Sequence, residues 1–281
     1  AARRHLPLGW RRAFPLLRLP LCSRAMTDDK PSVLVTGGAK RIGAAIARAF
    51  GKAGWHVVVH YGSSRAEAEA LVEQLPSAEA VQCDLEDGDA AVAMVETLAN
   101  RLADWRALIN CAAVFDRDTV TALDPATNVR TMQINARSPA RMAQAYLAHA
   151  QASGGRRVIH LTDQKLANPN PDFFSYTMSK HALASTVPML TMGAASVEDR
   201  VYALAPGAIL ASHDQSEEET EISHRLNLLA RKTGPEEVAD AALFLAQGHL
   251  ASGQTLYVDS GQHLLSQPRD VIYLAREGTG A

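Results

Sequence analysis

Short apolar segments alternate with longer amphipathic segments from residue 32 onward, and this alternation restricts the fold more than any other feature of the sequence. The apolar segments are rich in β-branched residues and lack the polar alternation of half-exposed strands, which is typical of strands buried on both faces of a parallel sheet. Consecutive parallel strands require crossover connections, and these are right-handed. The sequence therefore predicts an α/β fold with a doubly wound, seven-stranded parallel sheet and helices on both faces.

The predicted strands cover residues 32–36, 55–60, 80–83, 107–110, 157–162, 200–205 and 254–258. The predicted helices cover residues 41–54, 64–75, 87–102, 127–152, 173–194 and 235–247. No linker, repeat or low-complexity block divides these elements, so we expect residues 26–281 to form a single Rossmann-fold domain. The acidic stretch 212–221 interrupts one crossover, and we interpret it either as a solvated loop or as part of a mobile lid over the strand ends.

Composition excludes several classes of function. The chain has 281 residues, 47% of them hydrophobic, and a net charge of −2, which does not indicate a nucleic-acid or anionic-membrane partner. The three cysteines, Cys22, Cys83 and Cys111, show no metal-binding spacing and fit a reducing, cytoplasmic compartment without a metal site. Since no run of eighteen apolar residues occurs, we expect no membrane span.

The first 25 residues differ in composition from the rest, with six arginines and no acidic residue. One interpretation is an organelle transit peptide, which would be rich in arginine and poor in acids. The interpretation that we favour is that residues 1–25 are disordered or not native, because Pro7, Pro15 and Pro20 would break an amphipathic helix.

The segment TGGAKRIG, residues 36–43, joins the first predicted strand to the first predicted helix. Glycines there allow a tight turn, and the free N–H groups at a helix start favour a pyrophosphate. The spacing matches TGxxxGxG, except that Arg41 stands where the middle glycine is usual. A plain strand–helix turn is the alternative, but the position at the start of a βαβ unit favours a dinucleotide site.

The end of the second predicted strand indicates which dinucleotide is bound. NAD sites commonly place an acidic residue there to bind the ribose hydroxyls, and none occurs before Glu67. Hydroxyl and cationic groups that suit a 2′-phosphate occur instead, namely Ser63, Ser64 and Arg65, with Lys40 and Arg41 in the facing turn. We therefore predict NADPH rather than NADH, the alternative being a solvated basic helix start. Asp84, at the end of the third strand, is expected either to reach the adenine or to cap the next helix.

Tyr176 and Lys180 stand at positions i and i+4 of a predicted helix and therefore share one face. A nearby ammonium stabilises a phenolate, so we expect Lys180 to lower the pKa of Tyr176 and to make it a usable proton donor. Such a pair is often an ordinary surface pair. Its place on the helix after the fifth strand, behind a dinucleotide turn, favours the catalytic interpretation.

These features together resemble the short-chain dehydrogenases/reductases over roughly residues 31–264. The matching segments are TGGAKRIG, CDL (83–85), NCAA (110–113), INA (134–136), YTMSK (176–180), APG (205–207) and GQTLYVDSGQ (253–262). The resemblance implies a catalytic Asn135 that holds a water near Lys180, and Asn110 as a support of the central strand. It also implies Pro206 and Gly207 beside the nicotinamide, and a homo-oligomer, dimer or tetramer, built on the long helices.

One position departs from that family. Asp163 stands thirteen residues before Tyr176, where a serine usually polarises the substrate carbonyl. An ionised carboxylate cannot donate a hydrogen bond to a carbonyl oxygen, so ordinary ketone reduction is disfavoured. Taken alone, an aspartate at the end of a strand could equally be a turn cap.

The departure resembles the pteridine reductase and dihydromonapterin (dihydrofolate) reductase subgroup of the family. The shared features are Arg41, His60–Tyr61, Asp163 and Phe115. The resemblance implies that Phe115 stacks a pterin against the nicotinamide and that Arg41 contacts both the pterin and a cofactor phosphate. Ordinary core packing is the alternative for Phe115.

The complete set of expected site residues follows from the motifs and the resemblance. The expected catalytic residues are Asp163, Tyr176, Lys180 and Asn135. The expected cofactor contacts are Gly37, Lys40, Arg41, Ile42, Gly43, His60, Tyr61, Ser63, Ser64, Arg65, Asp84, Leu85, Asn110, Ala112, Tyr176, Lys180, Pro206, Gly207 and Ile209. The expected substrate contacts are Arg41, Phe115, Asp163, Tyr176 and Leu210.

The hypothesis that follows is NADPH-dependent reduction of a dihydropterin, a small pterin or folate substrate, to its tetrahydro form by hydride transfer to the carbon of a C=N bond. A carbonyl reductase of the 3-oxoacyl type is the alternative enzyme. A non-catalytic NADPH-binding protein is the second alternative, although such a protein would not need Tyr176, Lys180 and Asn135 together.

Overall fold

A computed structural model describes residues 30–212 and 214–279, without the side chains of residues 278 and 279; the Arg-rich segment 1–25 lies outside the described residues. Within this part of the chain, seven parallel strands form one sheet in the order β3-β2-β1-β4-β5-β6-β7. The strands are β1 (Ser32–Val35), β2 (His56–Tyr61), β3 (Ala78–Gln82), β4 (Trp105–Asn110), β5 (Arg157–Leu161), β6 (Arg200–Pro206) and β7 (Thr255–Val258). The predicted doubly wound, seven-stranded parallel sheet is confirmed.

Helices cover both faces of the sheet. They are α1 (Arg41–Lys52), α2 (Arg65–Gln74), α3 (Gly88–Ala99), α4 (Pro125–Met132), α5 (Ser138–His149), α6 (Phe174–Gly193), α7 (Glu217–Ser223), α8 (Pro235–Ala246) and α9 (Val271–Thr279). Side chains of β1 alternate between two apolar layers. Val33 and Val35 pack with α1 and α8, whereas Leu34 packs with α3 and α5. The sheet is therefore buried on both sides, as its continuous apolar strands predict.

The helix predicted over residues 127–152 differs in detail. It begins at Pro125, because the Asp124 carboxylate accepts the Thr127 N–H and caps the first turn. It ends at His149, and a π-helical turn, Gln133–Arg137, separates α4 from α5. Single π turns inside helices occur frequently at functional sites.

Two helices were not predicted. Part of the acidic stretch forms α7, whose first turn is closed by a capping box between Ser216 and Glu219. The solvated-loop interpretation is therefore wrong for residues 217–221, whereas the lid remains a prediction. Helix α9 follows the last strand, in a segment where no helix or strand was predicted.

The order of the strands determines where a ligand can bind. The sheet reverses its winding between β1 and β4, which are neighbours although β2 and β3 lie between them in the chain. Crevices outside the carboxyl ends of the strands at such a reversal are the usual ligand sites of open α/β sheets. The loops after β1, β4, β5 and β6 meet there.

Over the described ranges, no helix has the length and apolar character to cross a bilayer. No group of three or more His, Cys, Asp or Glu side chains is placed to hold a metal ion within those same ranges.

Candidate active site

The turn between β1 and α1 is a tight glycine loop. A Cβ atom on Gly43 would lie 2.2 Å from the Gly37 carbonyl oxygen, and one on Gly37 would lie 2.9 Å from Cα of Ala112. Arg41 has φ of +53°, in the left-handed region that favours glycine, which explains why glycine is usual at this position of the motif. The loop thus keeps its shape although a bulky side chain replaces one glycine.

The amino terminus of α1 is suited to an anionic ligand. Its N-cap residue, Lys40, makes no side-chain capping hydrogen bond, and no acidic residue occupies the first turn. Helix α3, in contrast, is capped by Asp87, which accepts hydrogen bonds from Asp89 N and Ala90 N. The N–H groups at the start of α1 therefore remain available to a phosphate group.

His60 supports the glycine turn from inside the protein. Its Nδ1 accepts the Gly37 N–H at 3.1 Å, so its Nε2 carries the proton and donates to the Cys83 carbonyl oxygen at 3.0 Å. Burial lowers the pKa of His60 to about 4. Since both ring nitrogens are bound within the protein, His60 links the turn to the ends of β2 and β3 and does not line the cavities described below.

Tyr176, Asp163 and Lys180 lie together at the carboxyl end of β5. The Tyr176 hydroxyl donates to Asp163 Oδ2 at 2.9 Å. Lys180 Nζ donates to the Leu161 carbonyl oxygen at 2.7 Å and lies 5.5 Å from the centre of the Tyr176 ring. The other Asp163 oxygen, Oδ1, accepts the Lys165 N–H at 2.8 Å. Asp163 is thus both a turn cap and the hydrogen-bond acceptor of Tyr176.

Burial dominates the electrostatics of these three residues. It raises the pKa of the Asp163 carboxyl and lowers the pKa of the Lys180 ammonium. The prediction that Lys180 lowers the pKa of Tyr176 is wrong for this state. Burial, and then the adjacent Asp163 carboxylate, holds the pKa of Tyr176 well above its usual range. Tyr176 is therefore a neutral phenol that donates to Asp163.

Two buried asparagines fix the surrounding backbone. Asn135 lies in the π turn, where its Oδ1 accepts the Val114 N–H at 2.8 Å and its Nδ2 donates to the Val114 carbonyl oxygen at 2.9 Å. Asn110 Nδ2 is paired with His160 Nδ1 at 3.1 Å, across β4 and β5. Asn110 thus supports the central strands, while the water expected at Asn135 remains a prediction.

An aromatic cluster surrounds Tyr176. Phe115 meets the Tyr176 ring edge-on, with ring centres 4.6 Å apart, and stacks on Phe173 at 4.1 Å. Phe115 is only half-buried and lines both cavities. Packing against Phe173 therefore fixes the Phe115 ring without excluding a ligand from its remaining surface.

Two adjoining cavities meet at these residues. The first, of about 360 Å³, extends from the glycine turn to Lys180, and the second, of about 210 Å³, extends beneath α7 and α9. Six residues line both cavities: Arg41, Ile42, Phe115, Asp163, Tyr176 and Gly207. Other expected residues line only one: Gly37, Lys40, Gly43, Ala112, Lys180 and Pro206 in the first, and Ile209 and Leu210 in the second. Arg41 spans the gap between the loops by donating to the Ala211 carbonyl oxygen at 2.9 Å.

The remaining expected contacts line neither cavity and lie near the ends of β2 and β3. Arg65 pairs with Glu69 at 2.8 Å, and Lys40, at the edge of the first cavity, pairs with Glu67 at 2.6 Å. The Ser64 side chain makes no capping hydrogen bond at the start of α2. Ser63 is exposed, whereas Tyr61 and Leu85 are buried. The Asp84 carboxylate accepts a hydrogen bond from the Glu86 N–H. The helix-cap alternative for Asp84 is wrong, because Asp87 caps α3.

Several residues of the site were missed from the sequence. Phe173 supports Phe115 from a left-handed backbone conformation, with φ of +54°. Lys165 and Asp270 line the second cavity and form a buried ion pair. The only sequence signal for Asp270 is its place before the amphipathic run VIYLARE, where an aspartate is a common helix cap.

The sequence is similar to those of several known reductases. A family model described as Enoyl-(Acyl carrier protein) reductase matches residues 37–263. The dihydromonapterin reductase of Escherichia coli O6:K15:H31 is 27% identical over 237 residues, which cover 83% of this chain and 96% of that protein. A putative ketoacyl reductase of granaticin polyketide synthase, from Streptomyces violaceoruber, is 27% identical over 246 residues, or 84% of this chain and 98% of that protein.

Among solved structures, the FolM alternative dihydrofolate reductase 1 from Brucella canis, in complex with NADP, is similar throughout. It is 32% identical with a TM-score of 0.79, and the match covers 85% of this chain and 96% of that chain.

The buried His60 predicts a pH dependence of stability. Its folded-state pKa, about 4, is below the 6.5 of an unfolded histidine, so the unfolded chain binds the proton more readily. The contribution to stability is complete above pH 6.5 and is lost as the pH falls from 6.5 to 4. We expect it to be on the order of 3 kcal/mol.

The measurement is the free energy of unfolding in urea between pH 7.5 and 4.5, for the parent protein and for His60→Asn. The variant should show the smaller decline, and His160, whose pKa burial lowers to about 3, should account for part of what remains. His249→Asn, a change of an exposed histidine, should leave the decline unchanged. An equal decline in the parent protein and His60→Asn would contradict the role of His60.

Proposed function

Since the chain belongs to the short-chain dehydrogenase/reductase family of oxidoreductases, we propose that it reduces a dihydropterin to the tetrahydro form with NADPH. Hydride would be added to the carbon of a C=N bond, and a proton to its nitrogen. The dihydromonapterin and alternative dihydrofolate reductases among its relatives support this substrate class.

The hydrogen bond from Tyr176 to Asp163 is the observation that carries the proposal. A ketone reductase needs a donor at this position, and an ionised Asp163 would repel the negative charge that develops on a carbonyl oxygen. A ring nitrogen of a C=N bond is more basic than a carbonyl oxygen and can accept a proton directly. The site is therefore better suited to a C=N bond than to a ketone.

The first cavity fits a dinucleotide. The glycine turn leaves no room for a Cβ at Gly37 or Gly43, and the start of α1 has uncapped N–H groups beside it. We assign the pyrophosphate to this turn, the ribose to Tyr176 and Lys180, and the nicotinamide to the region of Pro206 and Gly207. The 2′-phosphate would meet Lys40, Ser63, Ser64 and Arg65. When bound, NADPH supplies the hydride.

The protein's own residues supply the proton. Tyr176 donates its hydroxyl proton to the ring nitrogen, and the nearby Lys180 ammonium stabilises the phenolate that forms. Asp163, whose pKa is raised by burial, then takes up a proton from solvent and passes it to the Tyr176 phenolate through the hydrogen bond that joins them. This restores the Tyr176 phenol and the Asp163 carboxylate, so one proton from solvent is consumed in each turnover.

Phe115 and Arg41 would orient the substrate. Phe115 offers an aromatic surface beside Tyr176, on which a flat pterin ring can stack. Arg41 lines both cavities, so its guanidinium can reach a polar edge of that ring and a cofactor phosphate. We place the pterin in the part of the second cavity that adjoins the first.

The cofactor assignment predicts a preference for the phosphorylated dinucleotide. We expect NADPH to bind at least about tenfold more tightly than NADH, because a charge-assisted hydrogen bond is worth roughly 1.5–3 kcal/mol. Fluorescence titration of the protein with each dinucleotide measures both affinities. Lys40→Gln should weaken NADPH binding more than NADH binding, and Lys52→Gln, at the far end of α1, should change neither. Equal or tighter NADH binding would refute the assignment.

The substrate assignment predicts turnover of pterins. NADPH oxidation should occur with 7,8-dihydromonapterin, dihydrobiopterin or dihydrofolate, and Asp163→Asn should reduce kcat by roughly 10²-fold, the usual contribution of a general acid. Tyr176→Phe should do the same, since it removes the proton donor.

Asp163→Ser separates the two enzyme candidates. It should lower pterin turnover, whereas in a 3-oxoacyl reductase it should raise ketone reduction. The proposal fails if no pterin is turned over while a 3-oxoacyl substrate is reduced. Full activity in Tyr176→Phe would instead favour a non-catalytic NADPH-binding protein.

A further inference from the structure

The C-terminal segment, residues 269–279, forms one wall of the second cavity. Asp270, Val271 and Ile272 line this cavity, and α9 continues alongside α7. Ile272 packs into the aromatic cluster with Phe173 and Tyr176. The segment therefore contacts the proposed proton donor as well as the substrate space.

Asp172 anchors the beginning of this segment. Its carboxylate accepts two hydrogen bonds from the Arg269 guanidinium, at 2.8 and 3.0 Å, and one from the Asp270 N–H at 2.9 Å. Asp172 directly precedes Phe173, so the anchor lies in the loop that joins β5 to α6. The same loop contains Asp163, and the segment is thus fixed to the loop that carries the proposed catalytic carboxylate.

A buried ion pair also joins this loop to the C-terminal segment. Lys165 Nζ is 2.6 Å from Asp270 Oδ2, and the two side chains are only 4% and 8% exposed. The remaining Asp270 oxygen accepts the Ile272 N–H at 3.0 Å, which caps α9. Loss of either partner would leave an uncompensated buried charge, a far larger perturbation than loss of a surface pair.

Lys165 interacts with Asp163 through its backbone and through its charge. The Lys165 backbone N–H donates to one Asp163 oxygen, and the Tyr176 hydroxyl donates to the other. The Lys165 ammonium also attracts the Asp163 and Asp172 carboxylates electrostatically. Without Asp270, this buried cation would have to be neutralised by a carboxylate of the active-site loop.

We propose that Lys165 and Asp270 are positioning residues for Asp163, and that the C-terminal segment supplies the carboxylate which holds the Lys165 ammonium away from the hydrogen bond between Asp163 and Tyr176. The catalytic consequence rests on the proposed function, in which Asp163 must be protonated to resupply Tyr176. The effect on Asp163 itself does not depend on the substrate.

The charges around Asp163 determine the sign of the expected effects. Lys165 and Lys180 favour its ionised form, as does the hydrogen bond from Tyr176, while burial opposes ionisation. Asp270 faces Tyr176 and neutralises Lys165. Removing the Asp270 charge leaves Lys165 uncompensated and should lower the pKa of Asp163. Removing Lys165 should raise it.

The test is a ¹³C NMR titration of the Asp163 carboxyl in aspartate-labelled protein, with the resonance assigned by its loss in Asp163→Asn. Asp270→Asn should lower the Asp163 titration midpoint by about one pH unit, and Lys165→Met should raise it by about as much. Glu277→Gln is the control. It removes a carboxylate of α9 that pairs with Arg269 and not with Lys165, and it should leave the Asp163 titration midpoint unchanged.

The double variant Lys165→Met/Asp270→Leu controls for misfolding of the single variants. Replacing a buried ion pair by apolar side chains is often tolerated, and the removal of both charges should return the midpoint close to that of the parent protein. The proposal is overturned if the two single variants shift the midpoint in the same direction or leave it unchanged, or if the double variant shifts it as far as Asp270→Asn.

Kinetics with a dihydropterin provide a separate readout. The fall of kcat with rising pH should move to lower pH in Asp270→Asn and to higher pH in Lys165→Met. At pH 7.5, Asp270→Asn should lose about tenfold in kcat. The KM for NADPH should be unchanged in both variants. If the parent protein reduces no pterin, the proposed function fails while the titration still decides the positioning role. Opposite kinetic shifts would overturn the proposal.

Discussion

A buried hydrogen bond between the Tyr176 hydroxyl and the Asp163 carboxylate is the interaction on which the site depends. It joins the carboxyl end of β5 to the first turn of α6, and every other part of the site is arranged around it. Phe115 and Ile272 pack against Tyr176, and the Lys165 backbone binds the second Asp163 oxygen. The two cavities meet on either side of this pair, so a reacting atom between a dinucleotide and a flat ring would lie next to the Tyr176 hydroxyl.

Burial gives this pair its chemical character. In water, an aspartate would be ionised at neutral pH and a tyrosine beside it would be a weak acid. Inside the site, burial raises the pKa of both groups, and Lys180 is held by the Leu161 carbonyl oxygen beneath them. The arrangement therefore stores a proton close to the substrate, which suits the protonation of a ring nitrogen. Reduction of a ketone, in which negative charge develops on the carbonyl oxygen, would instead require a hydrogen-bond donor that carries no negative charge.

The sequence predicted those features that depend on local pattern. The apolar strands predicted the sheet, and the glycine motif predicted the tight turn between β1 and α1. The spacing of Asp163, Tyr176 and Lys180 predicted the proposed catalytic group. Features that arise from tertiary packing could not be predicted in this way. The raised pKa of Tyr176 results from burial, which a helical i, i+4 spacing does not reveal. The ion pair between Lys165 and Asp270 joins residues far apart in the chain, and a single sequence contains no signal for such a pairing.

The central claim is that Tyr176 protonates the nitrogen of a C=N bond while Asp163 supports it. A crystal structure of the protein with NADP and a 7,8-dihydropterin tests this most directly. We expect the pterin ring to lie between Phe115 and the nicotinamide, with a ring nitrogen at about 2.7–3.2 Å from the Tyr176 hydroxyl oxygen. The account would be contradicted by a pterin bound with only a carbonyl oxygen at Tyr176, or by one bound outside the region where the two cavities meet.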